Sequence, residues 1–365
     1  MATWTRRAGR WVALSLLLLV TGLLPHTGLI PGAPLRTPVV LQTSAYDSDE
    51  ADRFARPRPE PGQPPSQQLV LAELNPKKAP LPSGPATYVP IVYYHYIRIN
   101  PVATDRVGFS LSTPPAMFRA QMQYLANHGF QVISLHQAVL AIKNHSGLPP
   151  HPVVLTFDDG YADFFTTAVP ILQGHGFTAT DFVISGRMGW GGYMTPSQVV
   201  AADAMGFSIG AHTVDHVALA AQSPTRAAWE IRQSKLTLEG LLGHPVLDFA
   251  YPYGSFNAYD EAQAKSDGFE TAASTMYGSW HSAGQLFFLS RQRIGGSLPL
   301  TYFANVVGGP PPTSAELRAV GTSPSASPSA TAKPTATPAP SPTPTPAPSA
   351  SASVVVSPRS LAMRL

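Results

Sequence analysis

Short apolar runs alternate with longer segments of helical periodicity between about residues 85 and 310. The short runs are rich in β-branched and aromatic residues, which favours strands. In the longer segments apolar residues recur every three to four positions, and most open with Ser, Thr or Pro and close with Gly, which predicts helices. The predicted strands cover residues 91–97, 131–135, 153–157, 180–184, 207–211, 247–251 and 270–274.

Seven strands separated by helical segments predict an α/β fold, because parallel neighbours need a crossover connection. Right-handed crossovers either close such units into a barrel or wind them into an open sheet. A foldable stretch of about 225 residues suits a barrel somewhat short of the usual eight units. The predicted helices cover residues 112–129, 136–143, 161–173, 195–206, 223–243 and 259–266.

The composition changes on both sides of this stretch. Most of the 39 prolines fall near the two ends, where Ser, Gln and Thr replace the periodic apolar residues. Such segments bury too little apolar surface to offset the entropy of ordering. The predicted organisation is a signal peptide or N-terminal membrane anchor at 1–30, a disordered linker at 31–85, a folded domain at 86–308 and a disordered Pro/Ser/Thr/Ala-rich tail at 309–365.

The N-terminus predicts where the protein acts. Arg6, Arg7 and Arg10 precede an apolar run over residues 11–24, a pattern typical of signal peptides. Extending the run to Ile30 gives about 20 residues, enough for one membrane-spanning helix that is not cleaved. Either reading predicts an extracytoplasmic protein, secreted or anchored to the outer face of the cytoplasmic membrane.

Charge and cysteine content remove several classes of function. The formal net charge is +3, and no basic stripe with interleaved aromatic residues appears, so nucleic acid is not an expected partner. The chain has no cysteine, which excludes disulfides, thiolate zinc sites and cysteine nucleophiles. His, Asp and Glu remain as candidate metal ligands.

Polar residues cluster where the predicted strands end. The carboxyl ends of all strands of a parallel barrel meet at one rim, where such enzymes build their sites. Residues far apart in sequence are therefore expected to converge. They are His95 at the end of the first strand, Asp158 and Asp159 after the third, His212 after the fifth, and Pro252 and Tyr253 after the sixth.

Asp158 and Asp159 form an adjacent carboxylate pair followed by Gly160. Such a pair can divide its work, because one carboxylate can bind a metal while the other takes a proton from water. Gly160 allows a sharp turn from strand to helix. The competing reading is that one Asp caps the next helix.

His212 and His216 are four residues apart, so on a helical turn they face the same way and can clamp a zinc ion. The Glu that serves as base in metalloprotease helices is missing after the first His, which leaves Asp158 as the available base. One Asp and two His leave coordination positions open for water and substrate. Two alternatives remain: a non-haem iron oxygenase and a pair of ordinary surface histidines.

These motifs resemble those of the polysaccharide deacetylases, the NodB-homology group or carbohydrate esterase family 4, over about residues 89–296. The resemblance implies a distorted (β/α)7 barrel. It also implies that Asp158 is the general base and that Asp159, His212 and His216 bind a divalent metal, usually Zn²⁺, with Co²⁺ or Ni²⁺ possible. The motifs are Thr156-Phe157-Asp158-Asp159-Gly160, His212-Thr213-Val214-Asp215-His216 and Tyr251-Pro252-Tyr253-Gly254.

Two departures from the common pattern narrow the resemblance. The usual Arg shortly before Pro252 is absent, and no Leu-x-x-His follows His281. Both gaps resemble the poly-N-acetylglucosamine deacetylases, whose motif order is permuted. In that order His95 of Tyr94-His95 is the general acid, and Arg291 of Leu289-Ser290-Arg291 pairs with Asp158. The backbone N–H of Tyr253 would stabilise the oxyanion.

The expected function is metal-dependent removal of N-acetyl groups from a cell-surface or extracellular polysaccharide that contains N-acetylglucosamine. Asp158 would act as base and His95 as acid on a water molecule activated by the metal. The expected partners are this polysaccharide and, through the N-terminal segment, the cell envelope or membrane. Alternatives are a hydrolase of small amides or imides and a non-catalytic glycan-binding wall protein. Trp190 and Trp280 lie in predicted rim loops, where they either stack on sugars or pack the loops.

Overall fold

A computed structural model describes residues 75–321, apart from Ala103 and Ser297. The predicted export segment, most of the predicted linker and most of the predicted tail lie outside these residues. No helix within 75–321 is both long enough and apolar enough to cross a membrane.

The described residues form a curled parallel sheet, which confirms the predicted α/β fold. Its strands are joined in the order β10-β2-β4-β5-β6-β7-β8, and β3 pairs with the amino end of β4. A separate antiparallel pair joins β1 and β9. The strands are β1 (Thr87–Tyr88), β2 (Ile91–Tyr94), β3 (Gln131–Val132), β4 (Pro152–Asp159), β5 (Thr180–Val183), β6 (Ser208–Ala211), β7 (Asp248–Ala250), β8 (Thr271–Ala273), β9 (Trp280–His281) and β10 (Gln292–Arg293).

Helices pack against the sheet, and in the sequence they lie between its strands and after the last of them. Alternate strand residues such as Leu155 and Phe157 pack against buried helix residues such as Phe118, whereas Val154 and Phe182 belong to a second apolar cluster. The helices are α1 (Arg106–Leu111), α2 (Pro115–Asn127), α3 (Leu135–Asn144), α4 (Val169–Gly174), α5 (Pro196–Ala204), α6 (Pro224–Leu242), α7 (Ala258–Ser266), α8 (Leu300–Val306) and α9 (Ser314–Gly321).

An irregular segment that ends in β10, residues 286–294, connects β8 to β2 across the opening of the curled sheet. On one side it bonds to β8, where Leu289 donates its N–H to the carbonyl of Ala272 at 2.9 Å. On the other side it bonds to β2, where Ile294 donates to the carbonyl of Tyr93 at 2.9 Å. Arg291 lies between these contacts and is completely buried. The barrel is therefore distorted at the position that brings Arg291 into its interior.

The predicted helix over residues 161–173 is interrupted. Residues 162–163 are α-helical, Phe164–Ala168 form a π-helical turn in which Val169 donates its N–H to the carbonyl of Phe164, and the α-helix resumes at Val169. Pro170 has no N–H to donate to the carbonyl four residues earlier, which weakens the α-helical pattern at this point.

Described residues pack against the domain beyond both predicted bounds. Before residue 86, Ala79 and Tyr277 are joined by a backbone hydrogen bond of 2.9 Å, and Gln285 donates to the carbonyl of Pro80. After residue 308, Glu316 of α9 accepts a 2.9 Å hydrogen bond from Asn127 of α2. Proline marks irregular backbone in both places, and irregular backbone can still pack on a domain.

Candidate active site

Three buried side chains meet at the carboxyl end of the sheet. Asp159 is the last residue of β4, His212 follows β6 directly, and His216 lies in the loop beyond it. The Oδ1 atom of Asp159 lies 3.5 Å from Nε2 of His212 and 3.1 Å from Nε2 of His216. One possible ligand atom from each residue falls within 4.8 Å of the other two.

The arrangement fits a divalent metal ion. Among the described residues Oδ1 of Asp159 has no hydrogen-bond partner, although it is buried beside two imidazole nitrogens. Nδ1 of His212 lies 2.7 Å from the carbonyl of Ala250, a contact that leaves Nε2 free to act as a ligand. Burial opposes ionisation of Asp159, but His216 and His212 outweigh it and hold its pKa well below the usual range. Two imidazoles and one carboxylate match catalytic sites that keep positions open for water and substrate.

The His pair is not on a helical turn, so that prediction is wrong. Residues 212–216 form a loop in which Thr213 and His216 adopt left-handed backbone conformations, with φ of 63° and 58°. Oγ1 of Thr213 accepts a 2.9 Å hydrogen bond from the N–H of His216. This turn brings the two imidazole ring centres to 4.9 Å from each other. Left-handed φ at non-glycine residues costs about 1–3 kcal/mol and requires support from the surroundings.

A sharp backbone turn lies at the end of β4, directly after Asp158. Asp159 has a φ of 82° and Gly160 a φ of 72°, both in the left-handed region. A Cβ at Gly160 would lie 3.1 Å from the Val183 side chain, so a residue without a side chain also relieves crowding at this turn. The helical segment begins at residue 162 and becomes π-helical at Phe164, so neither Asp158 nor Asp159 is the residue that caps it.

Asp158 forms a buried two-point pair with Arg291. The distances are 2.7 Å from Nη1 to Oδ1 and 2.7 Å from Nη2 to Oδ2, and both side chains are almost fully buried. Arg291 also donates to Oγ1 of Thr156 at 3.2 Å and to the carbonyl of Ser274 at 3.0 Å. Burial opposes ionisation of Asp158, but the adjacent guanidinium outweighs it and lowers the pKa. Asp158 is therefore held ionised and in one orientation.

The structure places His95 and Tyr253 at the same rim. His95 follows β2 directly and is 3% exposed, and its charge contributes to the lowered pKa of both Asp158 and Asp159. Tyr253 lies in the 3-10 turn Pro252–Gly254 after β7, with a φ of 58°. Its ring centre is 4.5 Å from that of His216. All seven residues that the sequence suggested for the site thus lie at this end of the sheet.

Comparison with known proteins adds to this geometry. Residues 145–272 match the family model described as polysaccharide deacetylase. The matched stretch contains both aspartates, both metal-site histidines and Tyr253, whereas His95 and Arg291 lie outside it.

This chain carries a polysaccharide deacetylase domain.

Individual relatives support the family and the fold. YxkH of Bacillus subtilis, named as a polysaccharide deacetylase, is 29% identical over 206 residues, which cover 56% of this chain and 71% of that protein. The Streptococcus pyogenes deacetylase PplD, solved in complex with acetate, is 28% identical with a TM-score of 0.57, and the match covers 61% of this chain and 99% of that one. The poly-β-1,6-N-acetyl-D-glucosamine N-deacetylase of Escherichia coli O157:H7 is 34% identical over 97 residues, which are 27% of this chain and only 14% of that protein.

The deacetylase domain also has rim residues that the sequence motifs did not reveal. Tyr96 stacks on Tyr161 with ring centres 3.8 Å apart, and Tyr161 contacts Tyr193 at 4.9 Å. Arg187 donates a 2.7 Å hydrogen bond to the hydroxyl of Tyr193. Burial raises the pKa of Tyr161, and the nearby charge of Asp159 raises it further. Tyr96 and Tyr161 each follow a strand end closely, which is the signal that could have identified them.

The two tryptophans lie in different surroundings. Trp190 is 63% exposed in the loop before Tyr193, next to the rim. Trp280 lies on β9 against Tyr88 of β1, with ring centres 5.3 Å apart. Because β1 precedes β2, this pair lies at the amino end of the sheet. The prediction of a rim position for Trp280 is therefore wrong.

Proposed function

We propose that the protein removes N-acetyl groups from an extracytoplasmic polysaccharide that contains N-acetylglucosamine. The observation that carries this proposal is the buried Asp158–Arg291 pair directly beside Asp159, His212 and His216. A proton acceptor and a metal site on adjacent residues are what hydrolysis of an amide by activated water requires.

Asp159, His212 and His216 would hold the metal, with Zn²⁺ as the proposed ion and Co²⁺ or Ni²⁺ as substitutes. A divalent ion bound there would act as a Lewis acid and lower the pKa of water. Asp159 is held ionised by the two histidines, so its carboxylate is ready to act as a ligand.

Asp158 is the proposed general base. Its lowered pKa keeps it ionised at neutral pH, and its two contacts with Arg291 fix its orientation. Arg291 donates one hydrogen bond to each carboxylate oxygen of Asp158, so each oxygen keeps a lone pair that can accept a proton from water.

His95 and Tyr253 are proposed for the other end of the reaction. His95 lies close enough to both aspartates to affect their ionisation, and it would donate a proton to the departing sugar amine. The left-handed turn at Tyr253 presents backbone beside His216, and its N–H would stabilise the negative charge that develops on the acetyl oxygen.

The substrate class is argued from two further features. The acid and the Arg come from His95 and Arg291, at opposite ends of the domain, an order that resembles poly-N-acetylglucosamine deacetylases. Two Escherichia coli relatives carry that enzyme name. The basic and apolar N-terminus supports export and contact with the cell envelope, where such polymers lie.

Acetate release from a panel of substrates tests the proposal. The panel holds poly-β-1,6-N-acetylglucosamine, chitin oligomers, peptidoglycan and a small N-acetyl amide. We expect turnover of the first polymer, loss after chelation, recovery with Zn²⁺, and a loss of at least about 10²-fold in Asp158→Asn. Activity that survives both chelation and this substitution would contradict the mechanism. Turnover of the small amide alone would contradict the polysaccharide substrate.

A further inference from the structure

A buried glutamate on α6 supports the loop that carries the metal ligands. One carboxylate oxygen, Oε2 of Glu230, accepts hydrogen bonds from two successive backbone N–H groups, those of Val214 at 2.8 Å and Asp215 at 2.9 Å. Glu230 is completely buried. These two amides lie between His212 and His216, so one oxygen holds the middle of the metal loop, residues 212–216.

The second oxygen of Glu230 is held by Arg226, one helical turn earlier. Nη2 of Arg226 lies 2.6 Å from Oε1 of Glu230 and 2.5 Å from Oδ2 of Asp215. Arg226 is itself 3% exposed. The carboxylate therefore has a cation on one oxygen and two amides on the other, and α6 supplies both charged groups.

The metal loop has a second support, a backbone contact with Gly186. Gly186 donates its N–H to the carbonyl of Val214 at 3.0 Å, and a Cβ at Gly186 would lie 2.5 Å from that oxygen. The loop is thus held between Gly186 and Glu230, and its left-handed residues Thr213 and His216 depend on that support.

We infer that Glu230, held by Arg226, is a positioning residue that sets the affinity of the metal site through the placement of His216. Its hydrogen bonds go to the backbone of Val214 and Asp215 and to Arg226, so it acts on the metal ligands through the loop. If its two backbone contacts are lost, His216 can relax from its left-handed conformation, and the 3.1 Å spacing between its Nε2 and Asp159 is no longer enforced. Partners of this kind typically contribute about 10- to 100-fold in metal affinity. The inference rests on the metal site of the proposed function.

Glu230→Gln tests the inference, and Glu239→Gln is its matched control. The amide has the shape of the carboxylate, but it cannot accept from both amides on one side and from Arg226 on the other, because its NH₂ group only donates. Glu239 lies on the same helix, accepts a 3.0 Å hydrogen bond from the N–H of Val246 and pairs with Lys235 at 2.8 Å. It makes the same kinds of contact away from the metal loop.

Three quantities are measured on the purified protein and both variants: Zn²⁺ affinity by competition with a chromogenic chelator, the absorption spectrum of the Co²⁺-loaded protein, and the free energy of unfolding without metal. We expect Glu230→Gln to weaken Zn²⁺ binding at least about tenfold and to alter the Co²⁺ spectrum. Glu239→Gln should keep the Zn²⁺ affinity within twofold of the unsubstituted protein and leave the Co²⁺ spectrum unchanged, even where it lowers stability. Glu230→Asp, which keeps the charge but withdraws the carboxylate by one methylene, should also bind Zn²⁺ more weakly.

The possible results distinguish a failure of the positioning role of Glu230 from a failure of the metal site itself. Zn²⁺ affinities of Glu230→Gln and Glu230→Asp within twofold of the unsubstituted protein would overturn the positioning role, as would an equal loss in Glu239→Gln. If Glu230→Gln does not fold, Glu230→Asp decides by the same comparison. If the unsubstituted protein binds neither ion, the metal site itself fails, and the inference fails with it.

Discussion

The Arg291 guanidinium controls the ionisation of Asp158, which leads to a prediction about pH. Arg291 lowers the pKa of Asp158 against the opposing effect of burial. Replacing it with Lys removes the two-point contact but leaves the burial, so the pKa of Asp158 should rise. A base must be ionised to act, and the acidic limb of the activity profile should therefore move to higher pH in Arg291→Lys.

The measurement is kcat/KM against pH for the unsubstituted protein and the variant. Arg293→Lys is the control, because Arg293 belongs to the same segment but donates to the carbonyl of Ser110 at 2.7 Å. Its profile should keep the original acidic limb. An unshifted limb in Arg291→Lys would show that Arg291 does not control the base.

At the scale of residues, the sequence indicated which side chains could bind a metal but not the backbone conformation that brings them together. Adjacent aspartates after an apolar strand and two histidines four residues apart suggested a metal site, and the structure places Asp159, His212 and His216 together. The histidines meet because of left-handed φ at Thr213 and His216, and such conformations are uncommon at non-glycine residues, so the sequence pattern did not predict them. The role of Glu230 was also hidden, because a Glu inside a long helix looks like any exposed charge.

At the scale of elements, β5 contains a buried acid that should destabilise the fold. Asp181 is fully buried, and neither of its carboxyl oxygens makes a hydrogen bond of good geometry with the described residues. Its register partners, Phe157 and Ile209, are apolar. Burial, followed by the charges of Asp158, Asp159 and Asp163, raises its pKa well above the usual range.

Asp181→Val should therefore increase the free energy of unfolding by about 1–3 kcal/mol at neutral pH. The folded protein holds this proton more tightly than the unfolded chain does, so this acid lowers stability as pH rises above about 4. The increase in the free energy of unfolding caused by Asp181→Val should therefore be larger at pH 7 than at pH 4.5. Denaturant unfolding of both proteins at the two pH values measures it. A gain that is equal at both values, or no gain, would contradict the assignment.

The elements themselves were largely predictable, and the differences have local causes. Each predicted strand is present, but several are shorter, because β2 ends at Tyr94 and β3 has two residues. Apolar composition continues past the last ladder hydrogen bond, so it overestimates strand length. The short strands β1, β9 and β10 have too few residues to show periodicity.

At the scale of the whole molecule, segments outside the predicted domain bounds pack against the domain. Beyond residue 308, the carbonyl of Pro310 accepts a hydrogen bond from the Tyr124 hydroxyl, Glu316 contacts α2, and Val320 packs against the core. Before residue 86, Pro80 bonds to Gln285. A fragment of residues 75–321 should therefore be more stable than one of residues 86–308.

We expect a difference of roughly 1–3 kcal/mol in the free energy of unfolding, from a few hydrogen bonds and one apolar contact. Denaturant unfolding of both fragments measures it, and acetate release shows whether the larger fragment retains the site. Equal stability would contradict a structural contribution from these edges. A fragment of residues 75–308 tells which edge is responsible.

The sequence by itself determined the fold class and the residues that gather at one rim, because periodicity and strand-end polarity are local properties of the chain. It predicted the parallel α/β sheet and placed His95, the aspartates, the histidines and Tyr253 at one rim. The tertiary structure alone decided the contacts between residues distant in sequence. The pairing of Arg291 with Asp158, suggested before only by resemblance, depends on the irregular segment that bridges β8 and β2. The support of the metal loop by Glu230 likewise depends on how α6 packs, and packing depends on the whole chain at once.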